Sequence, residues 1–243
     1  LRTNINNRLL LLILEGGTCM SQWLTITPPL HQIAIVGQVN DSETDNALRD
    51  VSVEITEKPP KFQRYCQLQS LQYGSQWDKM KQRCDLTYTS IDGYFYFADI
   101  PDGNYTLTFS IPHKGTRYGT TSVQTQVVRD AKGNINRTQN PDNSAILNIS
   151  LIPTTLKGHI LDVKGKAIAN AKIKIEGTQE TTISNSEGKY RFTQLEVSST
   201  ESNQRQLTLS VSGYGYSSIT QIATIQQGTI TTKDFTLSMT NKE

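Results

Sequence analysis

The sequence predicts an all-β chain built as two consecutive β-sandwiches of about seven short strands each. Three observations predict it. Apolar and polar residues alternate along short runs, glycine-containing turns punctuate those runs, and the whole pattern occurs twice. A length of 243 residues holds two such domains, and hydrophobic and charged fractions of 35% and 19% leave Thr, Ser, Asn and Gln for one wet face per sheet. A formal net charge of +2 lacks the broad basic footprint that nucleic acid or an anionic membrane requires, so no nucleic-acid partner is expected.

Residues 1–30 form an N-terminal segment. No run in the chain approaches the roughly 20 apolar residues that span a bilayer; the longest is "LLLLIL", Leu9 to Leu14. With Arg8 before it and Cys19 after it, this resembles a shortened signal peptide with an acylatable cysteine, although Glu15 interrupts the approach to the cleavage site. A second reading accommodates the same residues better. "EGGTCM" back-translates to a purine-rich ribosome-binding site just ahead of Met20, which makes residues 1–19 a leader outside the natural product. A start at Met20 implies a cytoplasmic protein, and the signal reading implies the cell envelope or secretion.

The repeat sets the domain boundary. "GQVND" (Gly37 to Asp41) matches "GHILD" (Gly158 to Asp162), and each is followed by a matched run, "ALRDVSVEI" (Ala47 to Ile55) and "AIANAKIKI" (Ala167 to Ile175). "TSIDGYFYF" (Thr89 to Phe97) lies over "SNSEGKYRF" (Ser184 to Phe192), and "YTLTFSI" lies over "LTLSVSG". The copies close with "AILNISLIP" and "TKDFTLSMT", so the domains run 31–153 and 154–243 and join near "IPTTLKG". Period-two alternation turns Val51, Val53 and Ile55 inward, with Ala171, Ile173 and Ile175 as their counterparts. Phe95 and Phe97 also point inward, as do Tyr190 and Phe192, which leaves Tyr94 and Tyr96 facing solvent where the second copy has Lys189 and Arg191. Asp92-Gly93 and Glu187-Gly188 supply the glycine of a tight hairpin, and Asp102-Gly103 makes the next turn.

The order G-x-[VI]-x-D, A-[LI]-x-[DN]-[VA]-x-[VI]-x-I, [DE]-G-x-[FY]-x-F and, in the first copy, "IPDGNYTLTF" resembles the carboxypeptidase regulatory-like domain. That resemblance extends from about Ile33 to Met239. It implies two Ig/prealbumin-like sandwiches of a type also called a carbohydrate-binding-like fold, used as an accessory module on many unrelated proteins. The second copy departs from the pattern where "EVSSTESNQRQ" replaces the "PDGNY" turn.

A zinc peptidase, which the family name suggests, finds no support. His31, His113 and His159 occupy no HxxE or HExxH spacing, and no GxSxG or phosphate-cradling loop occurs. No catalytic residue, metal, cofactor or enzymatic activity is expected. Some sandwiches resembling these, the collagen-adhesin B-type repeats, link Lys to Asn by an internal amide bond. The nearest candidates for such a bond are Lys157 and Asp234, and Lys157 reads as an ordinary surface lysine because the required acid has no place.

One difference between the copies is informative. The first carries an inserted loop, 57–84, where the second has a short turn. It holds Phe62, Tyr65, Tyr73 and Trp77, with Lys58, Lys61, Arg64, Lys79, Lys81 and Arg83 against Glu57 and Asp78. Loops this long in a compact domain are functional or disordered, and aromatics mixed with cations are enriched at binding hot spots. Phe62, Tyr65, Tyr73, Trp77, Lys79 and Lys81 are therefore candidate interface residues. The alternative is a satellite cluster in which "SQWDKMKQR" makes one or two helical turns over the sandwich edge. Cys66 and Cys84 bracket the stretch "CQLQSLQYGSQWDKMKQRC" within the insertion and form a disulfide in an oxidising compartment, or remain free thiols otherwise.

Three functions follow from the sequence. The first is a non-catalytic structural or interaction protein, a tandem spacer or docking platform for protein partners within a larger bacterial assembly such as a phage-tail-like contractile particle. The second is a carbohydrate-binding module using Tyr94 and Tyr96 as a stacking platform. The third is a secreted or lipid-anchored adhesion or envelope protein.

Overall fold

The computed structural model describes residues 31–135, 146–197 and 203–240. Leu9 to Leu14, Cys19 and Met20, on which the signal and leader readings rest, lie outside the described residues, as do residues 198–202 of the longer loop in the second copy.

The first sandwich contains β1 (Ile33–Asp41), β2 (Ser52–Glu57), β3 (Leu86–Tyr88), β4 (Tyr94–Ala98), β5 (Gly103–Ser110), β6 (Thr121–Val127) and β7 (Leu147–Leu151). The second contains β8 (Thr155–Asp162), β9 (Lys172–Ile175), β10 (Thr181–Ile183), β11 (Lys189–Phe192), β12 (Gln204–Ser212), β13 (Ile219–Gln226), β14 (Ile230–Thr232) and β15 (Phe235–Leu237). Each sandwich pairs a sheet of order β4-β1-β7 or β11-β8-β14 with one of order β3-β2-β5-β6 or β10-β9-β12-β13. The first strand of each copy pairs antiparallel with the fourth and parallel with the last, where β14 and β15 together take the place of β7. Among the described residues no strand crosses from one sandwich to the other: β7 and β8 belong to different sheets.

Two separate apolar cores fill the sandwiches, one running from Ile35 to Leu151 and the other from Leu156 to Leu237. The inward positions read from alternation are all buried, Phe95, Phe97, Tyr190 and Phe192 among them, while Tyr94 and Tyr96 are exposed. Phe95 meets Phe97 and Phe109 edge-on, and Tyr190 meets Phe192 in the same way, a geometry that satisfies the ring quadrupoles.

The repeat motifs have physical causes. Gly37 sits opposite Phe95, and Gly158 sits opposite Tyr190. A Cβ on Gly37 would fall 2.5 Å from the Phe95 ring and 2.6 Å from the Leu147 carbonyl, and a Cβ on Gly158 would collide with the Lys233 carbonyl. Glycine opens each motif because neighbouring atoms occupy the space a side chain needs, the Phe95 ring and the Leu147 carbonyl at Gly37 and the Lys233 carbonyl at Gly158. The Asp that closes each motif is buried and ties the following turn. Asp41 Oδ1 accepts from the backbone N–H of Glu43 and Thr44, and Asp162 Oδ1 accepts from those of Lys164 and Lys166. Asp50 and Asn170, the [DN] position, have φ of 57° and 55°, a left-handed conformation that Asp and Asn tolerate best after glycine. One buried hydroxyl in each copy then bridges two nearby backbone groups. Thr89 Oγ1 accepts from Val51 N–H and donates to the Leu48 carbonyl, and Ser184 Oγ does the same for Ala171 and Ile168.

Two expectations change. Asp92-Gly93 and Glu187-Gly188 do not close hairpins, because β3 pairs with β2 whereas β4 pairs with β1, and β10 and β11 are likewise in different sheets. Gly93 and Gly188, at φ of 77° and 73°, instead carry the chain around the sandwich corner from one sheet to the other. The inserted segment is also not a loop. It contains a 14-residue helix, α1 (Pro60–Tyr73), followed by a 3-10 stretch from Gly74 to Lys79 that overlaps the "SQWDKMKQR" turns.

Candidate functional site

The insertion begins where β2 ends. Pro60 occupies the first turn of α1, where its missing N–H costs nothing, and Gly74 ends the helix at φ of 52°, its N–H donating to the Ser70 carbonyl. The helix faces the core only through Phe62 and Cys66, one turn apart. Phe62 lies edge-on to Tyr105 of β5 at 5.9 Å, so it is a packing residue and not an exposed interface residue. Burial of its ring anchors the helix with about 2–3 kcal/mol.

The base of the insertion is held by ions. Asp85, which is buried, accepts from Lys58 Nζ at 2.6 Å and from Arg83 Nε at 3.1 Å. Arg83 also reaches Glu54 at 3.1 Å and lies 5.0 Å from the centre of the Trp77 ring. Two of the six cations counted from sequence are therefore consumed inside the structure. Trp77 is half-buried beneath Arg83 and stacks on Tyr73 at 6.4 Å. Tyr65, Tyr73, Lys79 and Lys81 are exposed. The helix adds two residues that sequence reasoning missed, Leu68 and Leu71, which are 65% and 80% exposed. Their spacing of three from Tyr65, in "YCQLQSL", is the signal that would have found them.

Cys66 and Cys84 are free thiols whose Sγ atoms are 3.3 Å apart. Burial, followed by the hydrogen bond to Cys66, pushes the Cys84 thiol up to about 12, and burial raises Cys66 as well. Tyr94 and Tyr96 share the outer face of β4, an edge strand, beside Gln38 and Val36 of β1. Lys157 and Asp234 are engaged elsewhere: Lys157 Nζ is 3.7 Å from Glu43, and Asp234 Oδ1 accepts from the His159 N–H at 2.7 Å. Among the described residues no group of three or more His, Cys, Asp or Glu is placed to hold a metal ion, and no helix is long and apolar enough to cross a membrane.

The second feature of interest is the joint, at the other end of the first sandwich. β5 starts at Gly103, against Pro59 beside the helix, and ends at Ser110, ahead of the segment 112–119 that meets the second sandwich. Thr154 and Thr155, the connecting residues, are fully buried. Thr154 donates from N–H to the Arg117 carbonyl and from Oγ1 to the Thr116 carbonyl at 3.0 Å. The same Oγ1 accepts from Gly228 N–H at 2.9 Å. Thr116 Oγ1 donates to the Val197 carbonyl at 2.6 Å and accepts from the Val197 N–H at 2.8 Å. Gln227 Nε2 donates to the Tyr118 carbonyl, and Glu43 pairs with both Lys157 and Arg191. Gly119 and Gly228 touch backbone to backbone, so that a Cβ on Gly119 would fall 2.9 Å from the Gly228 Cα. Tyr118 is fixed within the first sandwich, its hydroxyl donating to the buried Asp41 at 2.8 Å.

Among curated proteins, none matches this sequence. Of solved structures, the shaft pilin SpaA of Lactobacillus rhamnosus GG aligns at 11% identity and a TM-score of 0.37 over 86% of this chain and 98% of the pilin. The minor pilin of Streptococcus agalactiae aligns at 14% identity and a TM-score of 0.29, covering 87% and 90% of the two chains. The TIE protein of Bacillus anthracis aligns at 15% identity and a TM-score of 0.30 over 86% of this chain, which spans about a third (34%) of that protein. Residues 155–238 match the family model of the carboxypeptidase regulatory-like domain. Those residues span β8 to β15, so the match covers the second sandwich, whose motifs resemble the same family.

Proposed function

We propose that this chain is a non-catalytic structural and interaction protein, a rigid tandem spacer that presents the helical insertion to a protein partner within a larger bacterial assembly. The observation that carries this reading is the buried joint. A flexible linker is exposed and polar, whereas Thr154 and Thr155 have no exposed surface and every polar group of Thr154 is spent on the two sandwiches. Such a joint transmits position and load from one domain to the next. Helix α1 of the insertion packs at the end of β5 away from the joint, with Tyr65, Leu68 and Leu71 exposed beside Lys61 and Arg64. Exposed aromatic and aliphatic side chains flanked by cations fit a protein surface with apolar and acidic character.

Backbone 15N relaxation of the full chain tests the rigid spacer. Both sandwiches should report one shared rotational correlation time, and two distinct shorter times would overturn the reading. A second reading, carbohydrate binding, is favoured by the exposure of Tyr94 and Tyr96 on one face of an edge strand. Glycan-array binding that disappears in the Tyr94→Ala/Tyr96→Ala variant would support it, and an array with no signal for the wild type would remove it.

A further inference from the structure

We propose that Cys66 and Cys84 are a disulfide-forming pair that covalently closes the base of the helical insertion. Cys66 projects into the core from α1, one turn beyond the Phe62 anchor, and Cys84 lies between Arg83 and Asp85 at the return to β3. The two sulfurs are 3.3 Å apart, although 18 positions separate them in sequence. A disulfide is about 2.05 Å long, so closure moves the sulfurs together by about 1.3 Å, within reach of side-chain rotation. Both cysteines accompany the insertion and have no counterpart in the second copy, which also lacks the insertion. The bond therefore fastens to the sandwich an element that Phe62, Cys66 and the ion pairs of Lys58, Arg83 and Asp85 also hold there.

The reaction needs a disulfide donor, either a small-molecule disulfide such as oxidised glutathione or a protein disulfide. One cysteine thiolate attacks the donor sulfur and releases a thiol, and the second cysteine displaces the remaining half. Cys66 and Cys84 together lose two electrons and two protons, and the donor leaves as two thiols. Burial keeps both thiols protonated in the folded state, and the thiolate is the attacking species, so exchange proceeds as the insertion folds or opens locally. The same burial then shields the finished bond from reductant.

The test uses the full chain equilibrated in glutathione buffers of increasing oxidised fraction, quenched with acid, alkylated with N-ethylmaleimide under denaturing conditions and digested with trypsin without reduction. The expected product is a linked pair of peptides, 65–79 and 84–114, two hydrogens lighter than their sum, with neither cysteine alkylated. Reduction of this bond by dithiothreitol should be at least about tenfold slower in native buffer than in urea. Cysteines that remain alkylatable at every ratio, that carry only separate glutathione adducts, or that pair with Cys19 would each overturn the proposal.

Discussion

Replacing Thr154 by Val keeps the shape of the joint and removes one oxygen. That oxygen donates to the Thr116 carbonyl at 3.0 Å and accepts from the Gly228 N–H at 2.9 Å. The change orphans one acceptor and one donor at a residue with no exposed surface. Each unsatisfied buried group costs about 1–3 kcal/mol, so Thr154→Val should destabilise the protein by about 2–4 kcal/mol, allowing for partial relaxation toward water. The neighbouring residue supplies the control. Thr155 is equally buried, but its hydroxyl makes a single long contact of 3.5 Å to Thr193, whose side chain is exposed and can turn to water. Thr155→Val should cost less than about 1 kcal/mol. Urea denaturation measures both, and 15N relaxation reports whether the sandwiches begin to tumble separately in Thr154→Val. A Thr154→Val variant within about 0.5 kcal/mol of wild type, or one matched by Thr155→Val, would refute the hydrogen-bond account of the joint.

Other outcomes follow from the same geometry. Phe62→Ala should lose about 3–4 kcal/mol in chemical denaturation because its ring fills the core beneath α1, whereas Leu71→Ala, exposed on the same helix, should stay within about 0.5 kcal/mol. Gly158→Ala should cost at least about 3 kcal/mol or prevent folding, since its Cβ has only the Lys233 carbonyl to occupy; a soluble variant with wild-type melting temperature would count against the close-approach argument. Alkaline pH should destabilise the fold. Burial raises the phenols of Tyr105, Tyr118 and Tyr190 above their ordinary value of 10.0 and the Cys84 thiol from 9.0 to about 12. Between the unfolded and folded values the unfolded chain holds fewer protons, so stability is complete below about pH 9 and falls as pH rises toward 12. The urea midpoint, followed with tyrosinate absorbance from pH 8 to 11, checks this, and a midpoint that stays level or rises would contradict it.

Periodicity of two and a duplicated motif made most of the architecture legible from sequence, because burying one face of a strand constrains every other residue and a repeat states the same constraint twice. The inward assignment of Phe95, Phe97, Tyr190 and Phe192 needed no coordinates. Which strands pair did need them. Asp92-Gly93 has hairpin composition, yet the turn links two sheets, since positive φ at glycine serves a corner as well as a hairpin. Helix α1 escaped notice for a related reason. Only Phe62 and Cys66 face the core, while Tyr65, Leu68 and Leu71 are apolar but exposed, so no single apolar stripe marks the buried side. Pro59-Pro60 and Gly74 were its legible signals.

By itself, then, the sequence determined the two-sandwich fold and the inner face of each strand, because alternation and close-packed glycines are local constraints. Only the tertiary structure decided that Thr154 is a buried fastener, that Phe62 is an anchor, and that Cys66 lies against Cys84. Each of these depends on partners 18 or more positions away, and hydrogen bonds and packing at that range leave no periodic trace in the chain.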